Sequence, residues 1–588
     1  MNNQIVNYKK RKNLELFKSL EKFGFIKTQN YIPLYKKFFL MNETNYASIN
    51  LNNKLYISSV LHNIADNQNL YECNIKNSMN DKSKTKKKNV FFKLAPLLDP
   101  VKFMIGKYDM NDTSLITLPS LNDTNVSVNH KLLDVNNCGY VDNFFSYLTN
   151  QLKEKYNFLH GVEYYGSYLS IKQNLKINVF DDLDYLIKSE YFNKHKNILF
   201  DIEDYSELID DTSCDINKPV IKIDDNINPV LNITEFDDTC FDNLFDDEAS
   251  CIKEPSTTTI NDDSILLLTE DNLKDITSDL KSNNSKTTSL KSDTSCSSRT
   301  SHTRSDDEIS DDSGEWSEIN SEDEDCSDSE EDDTIYATFK EFPVQVICME
   351  KCEDTLDSLI LDNDLKEIEW FSALMQIIMT LLTYQKIFSF THNDLHTNNI
   401  MYSNTSQKYI YYCFKNNYYR VPTFGKIFKI IDFGRGIYKY DGNIMCSDSF
   451  SFGGDAATQY NTEPYYNNKK PRLEPNYSFD LCRLACSIFD YVVDDMDSIK
   501  EIDKCDAITR IIVEWCLDDN GLNVLYKNNG ADRYPDFKLY KMIARCVHNH
   551  TPQAQLQRKE FHSFTFPKKN IPENEKIINI DEMISSSG

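Results

Sequence analysis

The stretch from residue 368 to residue 434 constrains this chain more than any other. An apolar run the length of a long helix, Ile368 to Phe388, leads almost at once into His392-Asn393-Asp394-Leu395-His396-Thr397-Asn398-Asn399. Apolar Ile400-Met401-Tyr402 follows, and further on Phe428-Lys429-Ile430-Ile431 reads as a strand that delivers Asp432-Phe433-Gly434. Buried helices and strands hold the loops between them rigidly, so this order predicts polar side chains fixed at the ends of packed elements.

Those side chains are the ones phosphoryl transfer needs. A carboxylate must orient and deprotonate the acceptor hydroxyl, a carboxylate and an amide must hold Mg²⁺ on the β- and γ-phosphates, and a cation must grip the α/β-phosphates. Asp394 suits the first role. Asn399, five residues on in the same loop, and Asp432, at a strand end before a glycine, suit the metal. Lys93, on the apolar run Val90-Phe91-Phe92-Lys93-Leu94, suits the phosphate grip. Singly these residues say little, since an Asp-Phe-Gly tripeptide is commonly a turn; their joint order carries the reading.

Together they resemble the eukaryotic-type protein kinase family. Lys93 resembles the lysine of its V-A-I-K strand, the loop its H-R-D-L-x-x-x-N, and Asp432-Phe433-Gly434 its D-F-G. Asp480, in Tyr477-Ser478-Phe479-Asp480-Leu481, looks like the family's buried aspartate that braces the catalytic loop. Lys93 to Pro100 and Arg533-Tyr534-Pro535-Asp536-Phe537 look further like serine/threonine-protein kinases of giant, mimivirus-like DNA viruses. The resemblance spans Tyr46 to Thr551 without the acidic insertion described below. It implies an α+β, bilobal protein kinase-like fold, with a β-rich N-lobe and a mainly helical C-lobe, and a Ser/Thr kinase using ATP and Mg²⁺ on a protein substrate. It further implies catalytic Asp394 and His396, metal-binding Asn399 and Asp432, and nucleotide-side Lys93, Asp142 and Met349.

The departures from the family are specific. No GxGxxG links the early strands, and Asn393 replaces the arginine that reads activation-loop phosphate. His396 stands where a lysine usually meets the γ-phosphate, leaving open whether the imidazole does that job or packs. No clear A-P-E follows the Asp-Phe-Gly. Asp142 and Glu154 both lie on the candidate helix that should pair Lys93, and Asp142 is preferred. A small-molecule kinase of the aminoglycoside or choline type, and a pseudokinase scaffold, are the alternatives.

Along the chain, residues 1–200 read as an N-terminal extension and N-lobe, 201–341 as a disordered acidic insertion, 342–552 as the last N-lobe strand, hinge and C-lobe, and 553–588 as a tail. A basic amphipathic helix is expected over Tyr8 to Phe23, then a hairpin of Tyr46–Leu51 and Leu55–Val60, and a polar loop ending in Lys82 to Lys88. A helix is expected from Val141 to Tyr156 and a strand pair within Gly161 to Lys172, with ordered strand resuming at Phe342. Tyr409–Phe414 and Arg420–Phe424 suggest an inserted hairpin. Between Asp306 and Asp333 there is no Lys or Arg, and such a segment buries too little apolar surface to offset its ordering entropy.

Charge and cysteine usage bound the remainder. A net charge of -28 argues against a general nucleic-acid binder, which needs a basic footprint. The sixteen cysteines include no CxxC pair, and Cys348/Cys352 and Cys482/Cys486 at i, i+4 read as buried thiols rather than zinc ligands. With no signal peptide and no uninterrupted membrane-length apolar run, the expected setting is cytoplasmic, in an infected cell or a virion if the chain is viral, with no membrane partner.

Overall fold

In a computed structural model of the chain, the described residues are 6–65, 67–79, 85–109, 112–121, 127–205, 334–363 and 365–586. The chain divides into two units, Met1–Asp204 with Lys291–Gly588, and Tyr205–Leu290; of the second, only Tyr205 is described. The disorder expected for the acidic insertion therefore falls, over 206–333, outside the described residues. The first unit mixes helices and strands, in keeping with an α+β class.

Its main sheet is built from β1 (Phe25–Gln29), β2 (Leu55–Asn63), β3 (Leu70–Asn77), β4 (Lys86–Pro96), β5 (Tyr164–Asn178), β6 (Phe200–Ile202) and β7 (Tyr336–Glu350). The order is β1-β5-β7-β4-β3-β2, with β6 added beside β7, and every pairing is antiparallel. β7 lies at the centre, and its register sets Lys93 of β4 opposite Ile347. In this central position β4 is covered on both faces from Phe92 to Pro96, which explains why an apolar run there accepts one lysine only if its charge is met.

Several expectations on this half are corrected. The N-terminal helix is only Leu14–Glu21; residues Tyr8–Lys10 form a short strand paired with Ile49–Leu51. That pairing removes Ile49–Leu51 from the expected hairpin, and Leu55–Asn63 pairs forward with Leu70–Asn77 instead. Lys86, Lys87 and Lys88 belong to β4 rather than to a loop, while Lys82 and Lys84 are outside the described residues. The strand pair within 161–172 is one long strand, β5. Strand order resumes at Tyr336, six residues before Phe342, because β5 continues to Asn178 and supplies partners for the whole of β7. Asp201 and Ile202, read as the start of the insertion, are strand residues opposite Thr338 and Ala337.

Against this sheet packs α1 (Cys138–Tyr156), three residues longer at its start than periodicity indicated. Asn137 caps it through Gly139 N–H, and Asn157, at φ 55°, ends it in the left-handed conformation that asparagine tolerates. Past residue 355 the chain turns mainly helical. α2 (Glu367–Phe388) is long and apolar enough to cross a bilayer by length and composition, yet 94% of its apolar window is buried inside the protein. β8 (Ile400–Asn404) follows, then the hairpin β9 (Tyr409–Phe414) and β10 (Asn417–Pro422), β11 (Lys426–Ile430), α3 (Phe479–Val492) and α4 (Lys538–Cys546). Within the segment after 553, β12 (Ile577–Asn579) adds in parallel to β9.

Candidate functional site

Antiparallel β8 and β11 act as the frame for the two loops singled out by sequence. Ile400 pairs with Ile430, so the loop that ends at Asn399 and the turn that begins at Asp432 leave the same end of this antiparallel pair, which Asp354–Thr355 extends to three strands. Two further bonds lock them together: Ile431 N–H donates to Asn399 O (3.0 Å), and His392 Nε2 meets Ile431 O at 2.8 Å.

Asp480, near the start of α3 and fully buried, braces the loop. Its two carboxylate oxygens accept the backbone N–H groups of His392 and Asn393, each at 2.9 Å. Burial pushes the Asp480 carboxyl up against the stabilising pull of His392 and these two N–H groups. Asn393 stands at φ 65°, and its amide nitrogen donates to Arg435 O (2.9 Å) while its oxygen accepts from Tyr460 OH (2.8 Å). Asn393 is thus a buried staple between the loop and the chain after Gly434.

The charged centre is three residues from three distant stretches. Lys93 Nζ lies 2.6 Å from Asp142 Oδ2 and 2.9 Å from Asp432 Oδ1, and Phe433 N–H donates to Asp142 Oδ1 at 3.0 Å. All three are buried, at 4%, 2% and 8% exposure for Lys93, Asp142 and Asp432. Burial alone would lower the Lys93 ammonium, but Asp142 and then Asp432 hold it well above the ordinary lysine range. Burial works to raise Asp432 too, and the Lys93 charge overrides it and holds the carboxyl below its usual range. Asp142 goes the other way: burial, reinforced by the Asp432 charge, outweighs Lys93. Two carboxylates on one ammonium leave an excess of negative charge in a desolvated place, an environment that a divalent cation would relieve.

Asn399 is oriented to contribute to that. Its amide nitrogen donates to Asp394 O at 2.9 Å and meets His396 Nε2 at 3.0 Å, so the carboxamide oxygen is the end left for a cation. An Nε2 that accepts must be unprotonated, and burial pulls His396 down to about 4, so the imidazole is neutral near pH 7. Asp394 is 1% exposed; its Oδ1 accepts from Tyr540 OH at 2.8 Å and lies 3.8 Å from Arg435, and its Oδ2 is buried with no hydrogen-bond partner. Asp394 and Asp432 both line an open pocket whose wall also includes Lys102, Lys131, Arg435 and Asp448.

The structure thus brings together Lys93, Asp142, Asp394, Asn399 and Asp432, with His396 hydrogen-bonded beside them. Glu154, the other acid on α1, instead accepts Lys54 N–H at 2.9 Å. Met349 is buried on β7, opposite Phe91 and Tyr164, and does not line the pocket. Sequence reasoning missed Tyr540 and Arg435. Arg435 adjoins the tripeptide and was within reach of a local reading; Tyr540 sits on α4, 146 residues from Asp394, with no local signal to connect them. Among the described residues no three His, Cys, Asp or Glu are grouped to hold a metal, and the paired cysteines Cys482 and Cys486 are buried thiols.

No protein-family model matches the chain. A curated relative, the uncharacterized protein 098R of Invertebrate iridescent virus 6, is 25% identical over 182 residues, which is 30% of this chain. The match spans 26% of that protein's own length.

Proposed function

We propose that the chain is a Mg²⁺- and ATP-dependent Ser/Thr protein kinase with a bilobal kinase-like fold, its sheet serving as the N-lobe and its later helices as the C-lobe. The observation that carries this reading is the meeting of Lys93 with Asp142 and Asp432, next to a loop that bears Asp394 and Asn399 and is braced by Asp480. Sequence separation makes that meeting informative: the lysine, its helix partner and the Asp-Phe-Gly aspartate come from positions 93, 142 and 432.

In this reading Lys93 holds the α/β-phosphates, with Asp142 keeping the ammonium in line. Asp432 and the Asn399 carboxamide oxygen would hold Mg²⁺, which when bound neutralises charge on the phosphates. Asp394 takes the acceptor hydroxyl's proton through an oxygen that has no partner of its own. A protein acceptor is favoured over a small one by Asp432-Phe433-Gly434 and by the length of the chain. The β2–β3 turn contains no glycine, so any cover over the phosphates comes from backbone and side chains of another kind.

Purified protein with Mg²⁺ and γ-labelled ATP is expected to label itself or dephosphorylated casein. Asp432→Asn abolishes the signal, and Asp394→Asn slows transfer by roughly 10²–10⁴. Equal labelling by wild type and Asp432→Asn refutes the assignment.

A further inference from the structure

A buried carboxylate oxygen without a partner is costly, and one at the centre of a site calls for an explanation. Asp394 has one such oxygen, Oδ2, while Oδ1 is engaged by Tyr540 OH at 2.8 Å. Tyr540 is itself engaged from behind: Arg483 Nε donates to its hydroxyl oxygen at 3.0 Å. The phenol can therefore donate in one direction only, toward Asp394. Its ring is fixed by stacking on Phe537 (5.3 Å between centroids) and by Phe479 at 6.1 Å, and the Arg435 guanidinium lies over its face, 5.6 Å from the centroid. His396 makes no such contact with the Asp394 carboxylate; it is neutral and occupied with Asn399.

We propose that Tyr540, backed by Arg483, is the positioning residue for the reaction at Asp394: it holds Oδ1 so that Oδ2 faces the acceptor hydroxyl as the proton-accepting oxygen. This assignment rests on the kinase reading and deepens it. Two features support a positioning role over a merely structural one. The hydroxyl is a donor aimed at one oxygen of a two-oxygen group, which fixes the rotation of the carboxylate about its Cβ–Cγ bond. The hydroxyl oxygen is also occupied by Arg483 Nε–H, so the phenol's one proton is directed to Asp394 and the Arg483–Tyr540–Asp394 chain is held as a unit. Arg435, 3.8 Å from the same Oδ1, adds positive charge at that oxygen and not at Oδ2, which carries no hydrogen bond.

The test is Tyr540→Phe, which removes the hydroxyl and keeps the ring stack. With Mg–ATP and casein, kcat is expected to fall about 10- to 100-fold, the scale of one hydrogen bond to a charged group, with KM for ATP and the Mg–ATP dissociation constant unchanged. Arg483→Gln, which leaves Tyr540 in place but takes away the charge behind it, is expected to lower kcat several-fold in the same pattern. This second variant decides the matter if Tyr540→Phe does not fold. If Tyr540 were instead a plug that the acceptor must displace, Tyr540→Phe would raise kcat or lower the acceptor KM, and that result overturns the proposal. So does an unchanged kcat in both variants. Wild-type protein that binds Mg–ATP yet transfers nothing overturns the kinase reading itself, and this assignment with it; active wild type with indifferent variants overturns this assignment alone.

Discussion

His160 shows how single residues secure the strand behind the site. Its Nδ1 donates to Phe428 O at 2.7 Å and its Nε2 accepts from Tyr412 OH at 2.6 Å, so the fully buried ring ties β11, the strand that delivers Asp432, to β9. The Nε2 bond requires the neutral ring, whereas the Nδ1–H bond to Phe428 survives protonation; burial pulls the group from 6.5 down to about 4. On acidification the unfolded chain takes up this proton first, so stability is complete above pH 6.5 and is lost as pH falls toward 4. At pH 5 the loss from His160 is about 2 kcal/mol. Urea denaturation of wild type and His160→Gln at pH 7 and pH 5 is expected to show a smaller acid loss in the variant by about that amount; equal losses would mean that the ring does not titrate as described. The same residue illustrates what was readable and what was not. Asp394, Asn399 and Asp432 were legible because loop and tripeptide are local patterns whose spacing is printed in the chain. Asp142 was one of two acids on a predicted helix, and only the facing of α1 on β4 separates it from Glu154. His160 and Tyr540 had no pattern at all, since each acts on a partner more than 140 residues away.

At the level of elements, the hairpin of β9 and β10 was foreseeable and its third strand was not. The aromatic-rich run Tyr409–Phe414 is the first strand as expected, while the second begins at Asn417 rather than Arg420, because the two-residue turn at Lys415 and Asn416 has both φ angles positive, at 50° and 58°, as tight hairpins of right-handed twist prefer. Ile577–Asn579 is too short to carry a period of its own, and it is placed by partners rather than by propensity. Asp581 accepts the N–H groups of Lys415 and Asn416 at 2.8 and 2.9 Å, and Ser586 N–H donates to Ile387 O at 2.8 Å at the end of α2. The terminal segment thus closes the open edge of β9 and holds the end of the helix that leads into the candidate loop. Ending the chain at Asn570 is expected to speed amide exchange at Tyr411 to Cys413 and to lower the melting temperature. Exchange unchanged at those three residues would show that β12 contributes nothing to the ribbon. The misread hairpin at Tyr46–Val60 has the same origin: a turn signal such as Asn52-Asn53-Lys54 marks a reversal, but which sheet edge a three-residue strand joins is decided by tertiary packing, here by Tyr8–Lys10.

For the molecule as a whole, the excess of acid sits heavily in the stretch that interrupts the sheet, and the sheet shows how the interruption is accommodated. β6 and β7 pair antiparallel, with Ile202 opposite Ala337, and Glu203 N–H donates to Tyr336 O at 3.0 Å. The two ends of the insertion therefore leave from neighbouring positions of one hairpin, on a strand whose far end carries the register partner of Lys93. Joining 205 to 334 through an Asn-Gly turn demands no change in either strand, because a two-residue loop of that type closes an antiparallel pair directly. Loop closure favours the shorter connection by about 0.6 kcal/mol for each halving of a flexible loop, so removal of 206–333 is expected to leave the melting temperature equal or higher. Lys93, Asp142 and Asp432 all lie outside that stretch in sequence, so on the proposed kinase reading Mg–ATP binding and kcat toward casein are expected to be retained within about twofold when measured at fixed ionic strength. A shortened chain that folds, binds Mg–ATP as wild type does, and has lost transfer to casein would assign the acidic stretch a direct part in acceptor binding; a shortened chain that fails to fold would show that β6 and β7 do not form the hairpin that their register describes.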